Sequence, residues 1–116
     1  MQITERHVGD VAIIDLNGRL VLGDSDDLLR DKVNSLVQQG HKNILVNLGQ
    51  LSYMDSSGLG ELVGCYTTVT RRGGALKLVG LTKRISDLLS ITKLLTVFDS
   101  YEAEKEAVAS FRPVVA

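Results

Sequence analysis

Residues 44 to 48 read Ile44-Leu45-Val46-Asn47-Leu48, a short, nearly continuous apolar run. A run of this length and composition suits a strand covered on both faces, as strands of a parallel sheet are. Gly40 precedes it and ends a helix on which Leu29, Val33, Leu36 and Val37 recur at helical spacing. Downstream, Ser56 to about Arg71 carries a second apolar stripe of Leu59, Leu62, Val63, Tyr66 and Val69, with basic residues at its carboxyl end, where the helix dipole favours cations. Helix, strand and helix in that order imply right-handed crossovers and a parallel sheet.

Working outward, residues 2–7 and 11–17 read as two strands, and the three residues between them, Val8-Gly9-Asp10, allow only an antiparallel pair. Gly18 is expected to close the second strand. After Leu20-Val21-Leu22-Gly23, the stretch Asp24-Ser25-Asp26-Asp27 is a helix-start signature: capping side chains and negative charge at the positive end of the dipole. Gly73-Gly74 breaks the second helix, and Ala75 to Val79 is another buried strand. Thr82 caps a helix carrying Ile85, Leu88 and Leu89. Val97-Phe98 reads as a last short strand, and a final helix runs from Tyr101 to about Phe111, before Pro113. The fold class is α/β: a single domain over residues 1–116, with a mostly parallel sheet, an antiparallel N-terminal strand and helices packed against it. Ile13, Leu45, Val46, Leu76 and Leu78 are its expected core.

Charge excludes several functions. Thirteen Lys and Arg against fourteen Asp and Glu give a net charge of -1 over 116 residues. That leaves no excess positive charge for nucleic acid or an acidic membrane surface, and no basic run exceeds Arg71-Arg72. With three Tyr and two Phe, platforms for stacking bases are scarce. The single cysteine, Cys65, excludes an internal disulfide and fits a reducing, cytosolic compartment. His7 and His41 lack metal-ligand spacing, so no metal is expected; they read as a strand-edge and a loop histidine. The opening residues are polar where a signal peptide would be apolar, and no run is long enough to cross a membrane.

The most unusual segment is Leu51-Ser52-Tyr53-Met54-Asp55-Ser56-Ser57-Gly58-Leu59-Gly60, read as the connection from the central strand to a helix at the carboxyl edge of the sheet. Ligands and partners of open α/β sheets meet the protein at that edge. A structural reading is available: Asp55 and Ser56 cap orphan amides, and the glycines let the helix approach the sheet. Redundancy strains it, because one cap suffices and each of Gly58 and Gly60 costs roughly 1 kcal/mol of helix propensity. Gly60 and Gly64, one turn apart, would equally permit close contact with another molecule.

Enzymatic motifs do not fit this segment. A dinucleotide fingerprint fails because Val63 stands where its third glycine is needed, and no Gly-Lys-Ser/Thr phosphate loop is present. A serine hydrolase needs a glycine two positions before its serine and a later histidine; both histidines come earlier. A phospho-acceptor aspartate of the receiver type needs an acidic pair after the first strand and a late lysine, whereas Gly18-Arg19-Leu20 and Asp99-Ser100 stand there. No catalytic residue and no cofactor are expected.

Asn47-Leu48, the stretch Leu51 to Gly60, Leu16-Asn17-Gly18-Arg19-Leu20, the Gly73-Gly74-Ala75 turn and Ile85-Ser86-Asp87-Leu88-Leu89 together closely resemble the bacterial anti-sigma-factor antagonists, stand-alone members of the STAS domain family. The resemblance spans nearly the whole chain, and its specific core is Asp55-Ser56-Ser57-Gly58-Leu59-Gly60. It implies a cytoplasmic partner-switching protein. Unmodified, such a protein binds an anti-sigma factor that is also a serine kinase, releasing a sigma factor; phosphorylation reverses this, and a serine phosphatase acts on the phosphorylated form. The phosphorylated serine directly follows the motif's aspartate, which maps to Ser56, with Asp55, Ser57, Gly58, Leu59 and Gly60 around it as partner-binding residues. Many members carry an acidic residue directly after the Gly-x-Leu, where this chain has Val21; Asp24, three residues on, is either its substitute at the partner-binding site or a helix cap, with the cap favoured. The alternative of another class is a constitutive STAS interaction or scaffold domain whose serine is never modified.

Overall fold

The computed structural model describes residues 1–21 and 28–111. Asp24 and the helix start assigned to residues 24–27 lie outside the described residues, as does Pro113. Among the described residues the strands are β1 (Gln2–Val8), β2 (Val11–Leu20), β3 (Asn43–Met54), β4 (Ala75–Val79) and β5 (Ser100–Tyr101), in one sheet in that order. The helices are α1 (Leu28–Gln38), α2 (Ser56–Arg71), α3 (Lys83–Ile91) and α4 (Glu104–Ala109). β1 pairs antiparallel with β2, and every other pairing is parallel.

Alternation along the central strands sorts side chains between two cores. Ile14, Leu16, Ile44, Val46, Leu76 and Leu78 face α1, α2 and α3, which contribute Leu29, Val33, Leu36, Leu59, Leu62, Val69, Ile85 and Leu89. Val11, Ile13, Leu45 and Val79 face the other way, under Ala107 of α4 and Phe111. Covered on both sides, Ile44, Leu45 and Val46 are fully buried, which is why the run at 44–46 shows no polar alternation. The five core residues expected from sequence are all buried.

Three strands depart from the sequence reading, and the final helix is shorter than expected, Glu104–Ala109, with Tyr101 in β5. Gly18 does not close β2: the strand runs on to Leu20, with register shifts on either side, and Gly18 adopts φ 113° at the irregularity. A residue with a Cβ disfavours that conformation, and the glycine lets the ladder bend and continue. β3 is correspondingly longer than expected. It pairs with β2 as far as Leu20↔Met54, so Leu51 to Met54 belong to the strand and not to a connection. The last strand is Ser100–Tyr101, beside Leu78 and Val79, and not Val97-Phe98. Phe98 is buried, but from a turn, its ring edge-on to Tyr66 at 5.2 Å; Val97 is exposed. Burial of one aromatic in a loop imitates a two-residue strand.

The second face of the sheet turns polar beyond its small core. Arg6 on β1 forks onto Asp15 of β2, at 2.5 and 3.0 Å, and also onto Glu104 of α4, while the Asn47 amide donates to Asp15 at 2.8 Å. Hydrogen bonds from Arg6 are the main cause holding both carboxyls below their ordinary range. Carboxyls lowered by folding contribute stability that is complete above their unfolded pKa and lost as pH falls through the folded one. Stability measured by urea titration is therefore expected to decline as pH drops from about 5 towards 2. Arg6→Gln should flatten part of that decline; an unchanged profile would mean the network contributes nothing.

Candidate functional site

The site is built where β2 and β3 end side by side. The Asp55 amide donates to the Leu20 carbonyl at 3.3 Å, which carries the β2–β3 pairing to the last residue before α2. One strand turn earlier, the Ser52 hydroxyl donates to the Gly18 carbonyl at 2.9 Å. Asp55, still extended, is the N-cap of α2: its Oδ1 accepts from the Gly58 amide at 2.8 Å, and its carbonyl accepts the first helical bond, from the Leu59 amide, at 2.9 Å. The side-chain bond satisfies an amide that the first turn would leave without a partner. Of the adjacent pair, then, the aspartate does the capping.

Ser56 and Ser57 are the first two residues of α2, and both are exposed. Gly58 and Leu59 turn inward and are buried, whereas Gly60 is exposed. The structure thus brings Asp55, Ser56, Ser57, Gly58, Leu59 and Gly60 onto one helix start, with the two serines exposed. Val21 is half-buried.

The glycines divide by role. A methyl group on Gly58 would lie 2.1 Å from the Leu20 carbonyl oxygen, so this glycine is what lets α2 begin against the end of β2. A methyl group on Gly60 or Gly64 would meet nothing within 4 Å among the described residues. For those two the sheet-packing explanation fails, and their helix-propensity cost has no return within the described fold. Gly58→Ala is expected to destabilise by about 1 to 3 kcal/mol, because backbone has to move. Gly60→Ala should instead be neutral or stabilising by up to about 1 kcal/mol. Denaturant titration of both separates the roles; equal effects would contradict the division.

Cys65 escaped the sequence reading of the α2 stripe. It is buried on the inward face, and burial is the main cause pushing its thiol up to about 12. Protonated and enclosed, it behaves as a small apolar residue, not a nucleophile. His7 and His41 come closer than expected, with ring centroids 5.1 Å apart and Glu5 at 2.6 Å from His7 Nε2. Among the described residues no group of three or more potential ligands could hold a metal. No helix among them is long and apolar enough to cross a membrane.

Known proteins resemble this chain in sequence and in fold. An anti-sigma-B factor antagonist of Bacillus subtilis is 41% identical over 75 residues, 65% of this chain and 68% of that protein. An anti-sigma F factor antagonist of Paenibacillus polymyxa is 29% identical over 115 residues, 98% of this chain and 97% of that one. The solved structure of the Bacillus cell fate determinant SpoIIAA in its phosphorylated form has the same fold, with a TM-score of 0.74 at 24% identity, covering 96% of this chain and all of that one. The STAS domain model itself matches residues 2–107, from β1 into α4. By that match, and by the relative that shares two-fifths of its aligned residues, the chain belongs to the STAS domain family.

Proposed function

We propose that this chain is an anti-sigma-factor antagonist acting in the cytoplasm by partner switching. Unmodified, it binds an anti-sigma factor that is also a serine kinase and so releases a sigma factor; phosphate on Ser56 ends that binding, and a serine phosphatase restores it. It acts by binding, not by catalysis. The observation that carries the reading is the exposed Ser56 hydroxyl on the first turn of α2, directly after a carboxylate committed to capping. The names of the relatives support the class of partner.

A kinase must reach the hydroxyl without unfolding its surroundings, and Ser56 lies outside both cores. The partner surface would lie along the outward side of the helix start, where Gly60 and Gly64 leave room for close approach. Ser57, Gly58 and Leu59 then serve it differently: Ser57 as an exposed neighbour, Gly58 and Leu59 by fixing where the helix begins.

The test is incubation with the kinase anti-sigma factors of the genome that encodes this chain, with ATP, followed by peptide mass spectrometry. Ser56→Ala should abolish phosphate transfer and Ser57→Ala should leave it largely intact. Phosphate on Ser57 would reverse the assignment. Tight binding to an anti-sigma factor with neither serine ever modified would make the chain a constitutive interaction module.

A further inference from the structure

Three residues before Ser56, Tyr53 stands 37% exposed at the end of β3, an aromatic ring left half in water at the carboxyl edge of the sheet. Two arginines converge on it. Arg19 is its cross-strand partner on β2, and Arg84 is the second residue of α3; each places its guanidinium carbon 5.7 Å from the ring centroid. The two cations are therefore no more than about 11 Å apart; at that limit their repulsion is largely screened at physiological salt, where the Debye length is about 8 Å, and grows at low salt. Among the described residues neither is in an ion pair; the pairs present use Arg6, His7, Lys32 and Lys83.

Local stability does not explain the placement. α3 opens with Lys83 and Arg84 and has no acidic residue in its first turn, although the dipole of a helix favours anions there. Lys83 is relieved by Asp87 at 3.0 Å. Arg84 is turned instead towards a ring that already holds Arg19. Attraction to the ring face offsets part of the repulsion between them, but it supplies no counter-charge.

Tyrosine and arginine are also the side chains that most often anchor protein interfaces, and the arginine fork matches a carboxylate with two parallel hydrogen bonds. The element lies on the edge where α2 begins, so a protein seated over Ser56 meets it. Resting on the function proposed above, we infer that Arg19, Tyr53 and Arg84 form a docking element for a carboxylate-bearing surface of the anti-sigma factor. The element adds to the helix start as a second, charge-selective contact, and selects an acidic partner surface over a neutral or basic one.

The experiment measures binding of the unphosphorylated chain to the same purified kinase anti-sigma factors, by surface plasmon resonance at several salt concentrations. Arg19→Glu/Arg84→Glu should weaken binding by about tenfold or more, largely through slower association, and flatten its salt dependence. Arg19→Gln/Arg84→Gln, which removes charge without reversing it, should show a smaller loss at unchanged melting temperature and stands in if the reversed variant fails to fold. Affinity equal to wild type in both variants, with wild-type binding intact, overturns this inference alone. No binding by the wild-type chain to any of these kinases overturns the functional proposal and this inference together.

Discussion

Leu45→Ala should lower folding stability by about 2 to 5 kcal/mol, the range for truncating a large buried side chain. Leu45 is fully buried near the start of β3, paired with Ile13 on one side and Lys77 on the other. It belongs to the smaller core, whose other buried members are Val11, Ile13, Val79, Ala107 and Phe111. A layer this thin has few neighbours that can move into a cavity, which puts the cost towards the upper part of the range. The damage should also be directional. α4 is six residues long and reaches the sheet through Ala107, so amide exchange in Glu104–Ala109 should quicken more than in α2, whose contacts lie in the other core. A loss within about 0.5 kcal/mol would mean the strand carries no core, against the packing described.

The fold was legible in sequence where one side chain after another obeys a single period. Ile44-Leu45-Val46 declares a doubly covered strand; Leu59, Leu62 and Val69 declare a helix, and the interval between these segments requires a crossover. Legibility ended where pairing over distance decides the outcome. Gly18 looks like a strand end because glycine is poor in strands, yet β3 offers a ladder as far as Met54, and glycine's tolerance of positive φ keeps β2 on it. Phe98 misled for the opposite reason: its burial against Tyr66 requires no ladder at all.

The site was legible as a cluster but not in its division of labour. Composition marks Asp55, Ser56, Ser57, Gly58 and Gly60 as too many special residues for one helix start. Only the geometry separates them, giving the cap to Asp55, the close approach to Gly58 and open space to Gly60. The Arg19–Tyr53–Arg84 cluster left no local signal, since its members come from β2, β3 and α3, and each alone reads as an ordinary exposed residue.

Phosphorylation of Ser56 is expected to leave the melting temperature nearly unchanged while partner affinity falls steeply. A phosphate at this position adds nearly two negative charges at neutral pH, at the positive end of the α2 dipole. Favourable dipole and amide interactions should offset repulsion from the Asp55 carboxylate, whose bond to the Gly58 amide holds the cap in place. Ser56 is outside both cores, so no apolar packing is disturbed. The partner meets a different surface: a bulky dianion where it fitted a neutral hydroxyl. Burying that charge unpaired should cost on the order of 2 to 5 kcal/mol, roughly thirtyfold to several-thousandfold in dissociation constant. Ser56→Asp should reproduce only part of this, because a carboxylate brings one charge and fewer acceptor oxygens. Calorimetric melting and binding to the anti-sigma factor, measured on one phosphorylated sample, decide between mechanisms. Equal affinity before and after phosphorylation would sink the switch, and a large drop in melting temperature would show that phosphate acts on folding instead.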